Sequence, residues 1–155
     1  MGTKEKAAGQ TKRGLERRLR RGPDARLGEE AVPHGSLHVR GRGAMHKVNE
    51  QDVEAVEMAD GVTVQTLIGP NEEAPNFAMR LFKVAPLAKT PLHTHAWEHE
   101  VFVLQGEGIV VCEGKEHSFG RGDAILVPPE VEHRFRNIGG GELQFICVIP
   151  NEGSR

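Results

Sequence analysis

An all-β sandwich or barrel is the fold this sequence predicts, and three observations carry the prediction. From Val53 onward the chain is a series of short runs rich in β-branched and apolar residues. Glycine and proline punctuate these runs at close intervals, as turns between strands require. Beyond residue 60 no segment sustains the 3.6-residue apolar period of an amphipathic helix.

The elements follow in order. Glu50 to Met58 is expected to form a short helical turn. Gly61-Val-Thr-Val-Gln-Thr-Leu-Ile68 reads as a strand bounded by Gly69-Pro70, and Phe77 to Val84 as a second, ended by Pro86. Leu92 to His95 and His99 to Leu104 follow, the latter closed by Gly106 and Gly108. Ile109-Val-Val-Cys112 turns at Gly114, and His117-Ser-Phe119 precedes Gly120-Arg-Gly122. Ala124-Ile-Leu-Val127 stops at Pro128-Pro129. His133 to Asn137 and Leu143 to Ile149 flank the turn Gly139-Gly-Gly141.

Successive side chains of a strand point to opposite faces, so alternation sorts these residues. With His99 inward, Val101 and Val103 line the interior, and Glu98 and Glu100 point away. With His133 inward, Phe135 follows it, and Arg134 and Arg136 face out. In the last strand Leu143, Phe145, Cys147 and Ile149 form the larger and softer face, which places them inside, with Phe145 and Cys147 beside the site. Cys147 is equally compatible with a purely core position. Arg80 stands alone among the apolar residues of Phe77 to Phe82. It is either an outer-face residue or an interior cation needing a partner, and in the second case it is the candidate for holding an anionic or carbonyl substrate.

Four histidines carry the chemistry. Three lie in Pro91-Leu-His-Thr-His-Ala-Trp-Glu-His-Glu100, and the fourth ends Val127-Pro-Pro-Glu-Val-Glu-His133. On a strand, His93 and His95 share one face about 6.5–7 Å apart. His99 joins them if the chain turns at Ala96-Trp97-Glu98, and His133 comes from a third strand. The other four, His34, His38, His46 and His117, have no such company and read as ordinary surface or core residues.

The spacing of these residues resembles the two motifs of the cupin family. His93, His95, position 99 and Gly106 match the first motif, with His99 standing where most cupins carry glutamate. Gly122, Pro128, His133 and Asn137 match the second. Leu87 and Glu130 replace a glycine in each, which puts turn geometry, rather than metal binding, in question. The resemblance runs from about Glu50 to Glu152 and is closest to small single-domain cupins with a four-histidine site, typified by compact thermophilic manganese cupins. Ala74-Pro-Asn-Phe-Ala-Met-Arg-Leu-Phe82, Trp97 to Leu104 and Cys147-Val-Ile-Pro150 resemble that subgroup in particular. The implied fold is a double-stranded β-helix, or jelly-roll barrel. The implied cofactor is one divalent metal ion held by His93, His95, His99 and His133. Manganese(II) is the expected ion, with iron, copper, nickel and zinc as alternatives. Small cupins usually pair, so a homodimer is expected, with Val53 to Ile68 as a segment able to cross to the partner and cover an exposed sheet edge.

Composition narrows the remaining classes. A chain of 155 residues is one domain's worth. It holds no apolar stretch near the ~18 residues of a membrane span, and no apolar run follows the basic N-terminal residues as a secretory signal would need. The two cysteines, Cys112 and Cys147, lack metal-clip spacing, and a reduced pair in a cytoplasmic protein is expected. The net charge of −2 divides unevenly. Residues 1–44 hold 11 Lys and Arg against 5 Asp and Glu, and residues 45–155 hold 9 against 17. The basic, Gly/Pro/Arg-rich arm of residues 1–44 is expected to be largely disordered, because it has little apolar surface to offset its ordering entropy. The cupin domain is placed at 45–155, and Met45 is a candidate start. A polyanion-binding tail is the weaker alternative for the arm, so nucleic acid is not an expected partner.

Four neutral imidazoles leave the full charge of a divalent ion uncompensated, which makes it a stronger Lewis acid than a three-histidine, one-glutamate site would. Octahedral coordination leaves two positions for water, dioxygen or a chelating substrate, whereas structural zinc sites are closed tetrahedra. The chain has no tyrosine, and alternation places no carboxylate inward. Acid–base work would then fall to metal-bound water, a dissociating histidine or Arg80. The expected function is an oxidoreductase of dioxygenase type on a small organic substrate. The alternatives are a Lewis-acid isomerase, lyase or cyclase, and a metal-dependent binding or sensing module without turnover.

Overall fold

The structure is a computed structural model that describes residues 45–154. The basic arm of residues 1–44 lies outside the described residues, and so do the expectations that fall on it. Among the described residues nine strands follow in order: β1 (Val56–Ala59), β2 (Val62–Ile68), β3 (Phe77–Val84), β4 (His99–Gln105), β5 (Glu107–Cys112), β6 (Lys115–Gly120), β7 (Ala124–Val127), β8 (His133–Asn137) and β9 (Leu143–Pro150). They form two antiparallel sheets, one ordered β1-β2-β3-β9-β4-β7 and the other β6-β5-β8. This is the jelly-roll architecture that the strand and turn signals predict.

The inward sets meet between the sheets. Val101 and Val103 of β4, Phe135 of β8, and Leu143, Phe145, Cys147 and Ile149 of β9 are all buried. Phe145 stacks on Phe82 at 5.0 Å between ring centroids and lies 5.0 Å from Phe135, which meets Phe119 at 5.9 Å. These rings cross from the larger sheet to the smaller one, so burying them locks the two layers together. Asn137 fastens one end. Its Nδ2 donates to Val84 O at 2.9 Å and Gly141 O at 2.8 Å, and its Oδ1 accepts from Gly139 N at 2.8 Å. The motif asparagine is thus a brace for the β8–β9 turn, with its buried amide paired as burial demands.

Two expectations are corrected. Leu92 to His95 forms no continuous strand. It runs beside β8 with isolated pairings at Lys89–Arg136 and His93–His133, because Pro91 has no N–H to carry a ladder through. The expected helical turn at Glu50 to Met58 is confined to a 3-10 turn at Glu50–Asp52, since Val56–Ala59 pairs as β1 with β2. Gln65 ties that turn to β2, its Nε2 donating to Glu50 O at 2.7 Å and Val53 O at 2.6 Å. Leu87 and Glu130, which stand at motif glycine positions, adopt the left-handed backbone that glycine would take, with φ of 66° and 62°. The turns keep their geometry despite the side chains.

Candidate metal centre

Strand starts and backbone hydrogen bonds deliver the four histidines. His99 and His133 open β4 and β8. His93 N donates to His133 O at 3.2 Å and His133 N returns the bond to His93 O at 3.0 Å, which sets these two side by side. His95 O accepts from Glu130 N at 2.8 Å, so the left-handed turn at Glu130 anchors the loop that carries His95. The four imidazoles converge. Ring centroids are 4.4 Å apart for His95–His99, 4.6 Å for His93–His133 and 4.8 Å for His99–His133. One nitrogen from each lies within 4.8 Å of all the others.

The hydrogen bonds decide which nitrogens face the cluster. His93 Nδ1 donates to Pro91 O at 2.9 Å, and His133 Nδ1 donates to Val131 O at 2.8 Å. A carbonyl can only accept, so both rings carry a proton on Nδ1, which in the neutral imidazole leaves the lone pair on Nε2. Such outer bonds fix tautomer and ring direction in metal sites. His133 Nε2 is buried and has no hydrogen-bond partner among the described residues. A buried lone pair left unpaired is costly, and a cation at the centre of the cluster satisfies it. His95 Nε2 and His99 Nε2 approach to 2.5 Å at the same place. The donor set therefore fits a metal.

Electrostatics agree. Burial lowers the pKa of His95 and His133 below the ordinary imidazole value, and neighbouring histidines add to the effect. His99 falls to about 2, first through burial and then through His95, His133 and Arg80, which disfavour a further positive charge. All three are thus held neutral near pH 7, the form that binds metal.

A cavity of about 30 Å³ opens beside the cluster, lined by His93, His99 and His133 together with Met58, Arg80, Phe82, Thr90, Phe135, Phe145 and Cys147. That space is on the scale of one or two water molecules. Roomier surface grooves, such as the one of about 340 Å³ beside His46 and Asp52, contain none of the four histidines. Of the two positions open for Arg80, the structure places it in the interior. Its Nη2 lies 3.2 Å from Cys147 Sγ and 3.4 Å from His99 Nδ1, and its guanidinium sits 5.2 Å from the Phe82 ring centre. Among the described residues no carboxylate forms an ion pair with it, and no carboxylate lines the cavity. Burial pushes the Cys147 thiol up, against the opposing pull of Arg80.

The structure thus brings His93, His95, His99, His133, Arg80, Phe145 and Cys147 to one place. Sequence reasoning missed Met58, Thr90 and Trp97. Thr90 is buried, and its Oγ1 accepts from Phe135 N at 2.9 Å. The Trp97 indole stacks on His95, with centroids 4.5 Å apart and planes within 4°. Alternation along one strand cannot identify such neighbours. Only the position of Trp97, two residues past His95, offered a signal.

Comparison with known proteins gives concordant results. Residues 80–149 match the Cupin domain family. An oxalate-binding protein of Thermotoga maritima is 32% identical over 83 residues, covering 51% of this chain and 69% of that protein. Among solved structures, the polyketide cyclase RemF from Streptomyces resistomycificus aligns with a TM-score of 0.65 at 34% identity, covering 70% of this chain and 80% of that one. A cupin 2 domain-containing protein from Halorhodospira halophila aligns with a TM-score of 0.57 at 31% identity, covering 62% and 68%. A predicted oxalate decarboxylase from Thermotoga maritima, at 22% identity and a TM-score of 0.59, shares the fold.

Proposed function

Because the chain belongs to the cupin family, we propose that it is a metal-dependent enzyme acting on a small substrate with an anionic oxygen, through dioxygenase-type oxidation. His93, His95, His99 and His133 hold one divalent ion, and manganese(II) is the ion proposed. When bound, the ion supplies a Lewis-acidic centre able to engage an oxygen ligand and dioxygen. The observation that carries the proposal is the charge balance. Three of the four imidazoles and the Arg80 guanidinium line the cavity, and no carboxylate among its lining residues opposes them. An interior cation without a counter-ion favours an anionic ligand. Arg80 binds and orients that ligand, while Phe145, Phe82 and Phe135 exclude water. The oxalate-binding relative supports a small carboxylate or enolate in this position.

The test is oxygen uptake by the metal-loaded protein over a panel of small carboxylates, keto acids and phenolates. Uptake coupled to substrate loss supports the proposal. Similarity to a polyketide cyclase favours a second reading in which the ion acts only as a Lewis acid. Ring closure or isomerisation without oxygen uptake would establish that reading. Saturable binding with no product would instead make the protein a sensing or binding module.

Two further expectations belong to this proposal. The unpaired state of Cys112 and Cys147 supports residence in the reducing cytoplasm. A homodimer is proposed to form through the outer face of the larger sheet, where Phe77, Met79, Phe102, Leu104 and Leu126 are 38–64% exposed. The β1–β2 hairpin pairs with β3 of its own chain, and β1 lies at the edge of the larger sheet, so Val53 to Ile68 is proposed as a second segment able to meet the partner.

A further inference from the structure

His93 and His133 each have a backbone carbonyl two residues upstream that fixes the Nδ1–H tautomer. His99 has none. Its Nδ1 lies 2.9 Å from Cys147 Sγ and 3.4 Å from Arg80 Nη2, while its Nε2 faces the cluster. These two neighbours differ in the tautomers they allow. A guanidinium only donates, so a bond from Arg80 to Nδ1 requires the His99 proton on Nε2, where it blocks a metal bond. A thiol donates and accepts, so Cys147 is the one of the two neighbours that can take a proton from Nδ1 when the Nε2 lone pair faces the other histidines. Arg80 Nη2 reaches the same sulfur at 3.2 Å, which gives the guanidinium an acceptor other than the imidazole.

We infer that Cys147 is a positioning residue that holds His99 in its metal-competent tautomer and draws Arg80 away from Nδ1. The inference rests on the four-histidine reading for its consequence but not for its geometry. Cys147 is 2% exposed and pairs in register with Arg80 on β3 and Val101 on β4. The β3–β9 and β4–β9 ladders therefore set the sulfur in place. An oxygen acceptor at the same position would serve the same purpose, whereas an apolar side chain would hand Nδ1 to Arg80.

The experiment compares the full chain with Cys147→Ser and Cys147→Ala, and with Cys147→Val should the alanine variant fail to fold. Long-range ¹⁵N–¹H spectra of the metal-free protein report the His99 tautomer, with its signals assigned by their loss in His99→Gln. Wild type and Cys147→Ser should show the proton on Nδ1. The alanine or valine variant should move it toward Nε2. Chelator competition with zinc(II) should then show affinity reduced about 10- to 100-fold in the apolar variants, the range for losing an outer partner of a ligand histidine, and largely restored in Cys147→Ser. Retention of the Nδ1 proton in the apolar variants overturns the inference, as does equal weakening in serine and alanine. A wild-type chain that takes up no metal overturns the four-histidine reading, and the tautomer spectra then decide the role of Cys147 separately.

Discussion

The indole of Trp97 lies parallel to the imidazole of His95, 4.5 Å away and tilted by 4°, and Gly153 presses so close that an added Cβ would come within 2.5 Å of Trp97 Cε2. The C-terminal turn Asn151–Ser154 thus packs on a residue that orients a candidate metal ligand. Trp97 is the chain's only tryptophan, and there is no tyrosine, so intrinsic emission reports on this one stack. Zinc(II) or manganese(II) should change that emission and saturate at one equivalent. His95→Ala should remove the response. An emission spectrum indifferent to metal, in protein that demonstrably binds it, would place the ion away from His95.

Removing a ligand should remove the metal. His95→Ala and His133→Ala are expected to fall to a small fraction of an equivalent in elemental analysis, since each loses a nitrogen that faces the cluster. His99→Glu should retain the ion but reduce its Lewis acidity, because a carboxylate adds negative charge to an otherwise neutral donor set. Full metal content in both alanine variants would refute the site.

Stability of the metal-free protein should fall in acid. Within the fold His99 stays neutral down to about pH 2, whereas in the unfolded chain it titrates near 6.5. Below 6.5 the unfolded state takes up a proton that the fold refuses, so this contribution is complete above 6.5 and lost as pH falls toward 2. His95 and His133 shift in the same direction. Melting curves in metal-chelated buffer should show Tm declining from about pH 7 to about pH 5. His99→Gln should flatten the slope, and a slope unchanged by that substitution would contradict the assignment.

Leu87 and Glu130 hold left-handed backbone at 66° and 62°. A side chain in that region costs roughly 1–2 kcal/mol, partly offset by the extra chain entropy that glycine loses on folding. Leu87 is 82% exposed, so its replacement forfeits little packing. Leu87→Gly and Glu130→Gly should each stabilise the protein by about 0.5–1 kcal/mol, read as a higher midpoint in urea. Destabilisation by either would mean that the side chain makes a compensating contribution.

Light scattering should return a dimer mass at micromolar concentration. Phe102→Glu combined with Leu126→Glu should return a monomer, because those two exposed side chains occupy the outer face of β4 and β7 and charges there must be desolvated on pairing. A monomeric wild type would refute the proposed interface.

Local sequence determined a large part of this protein. Apolar alternation and turn residues are properties of short segments, and they sufficed to place β2 through β9 and to assign the buried faces of β4, β8 and β9. The His-x-His run and its partners at 99 and 133 were legible because strand geometry gives such spacing a meaning. Where the sequence misled, a neighbour intervened. Leu92 to His95 has strand character, yet Pro91 breaks its ladder, and Val56–Ala59 is a strand because β2 lies beside it.

Tertiary structure alone decided the rest. Alternation left Arg80 with two faces to choose from, and the pairing of β3 with β9 set its guanidinium beside Cys147 and His99. Residues 80, 99 and 147 are far apart along the chain, and their contact exists only because β9 inserts between β3 and β4. The same holds for Met58 at the cavity and Gly153 against Trp97. A metal-binding motif is a pattern of spacing, which sequence carries. The charge balance and hydrogen bonding around it depend on which strands become neighbours, and that is settled only when the two sheets close on a common core.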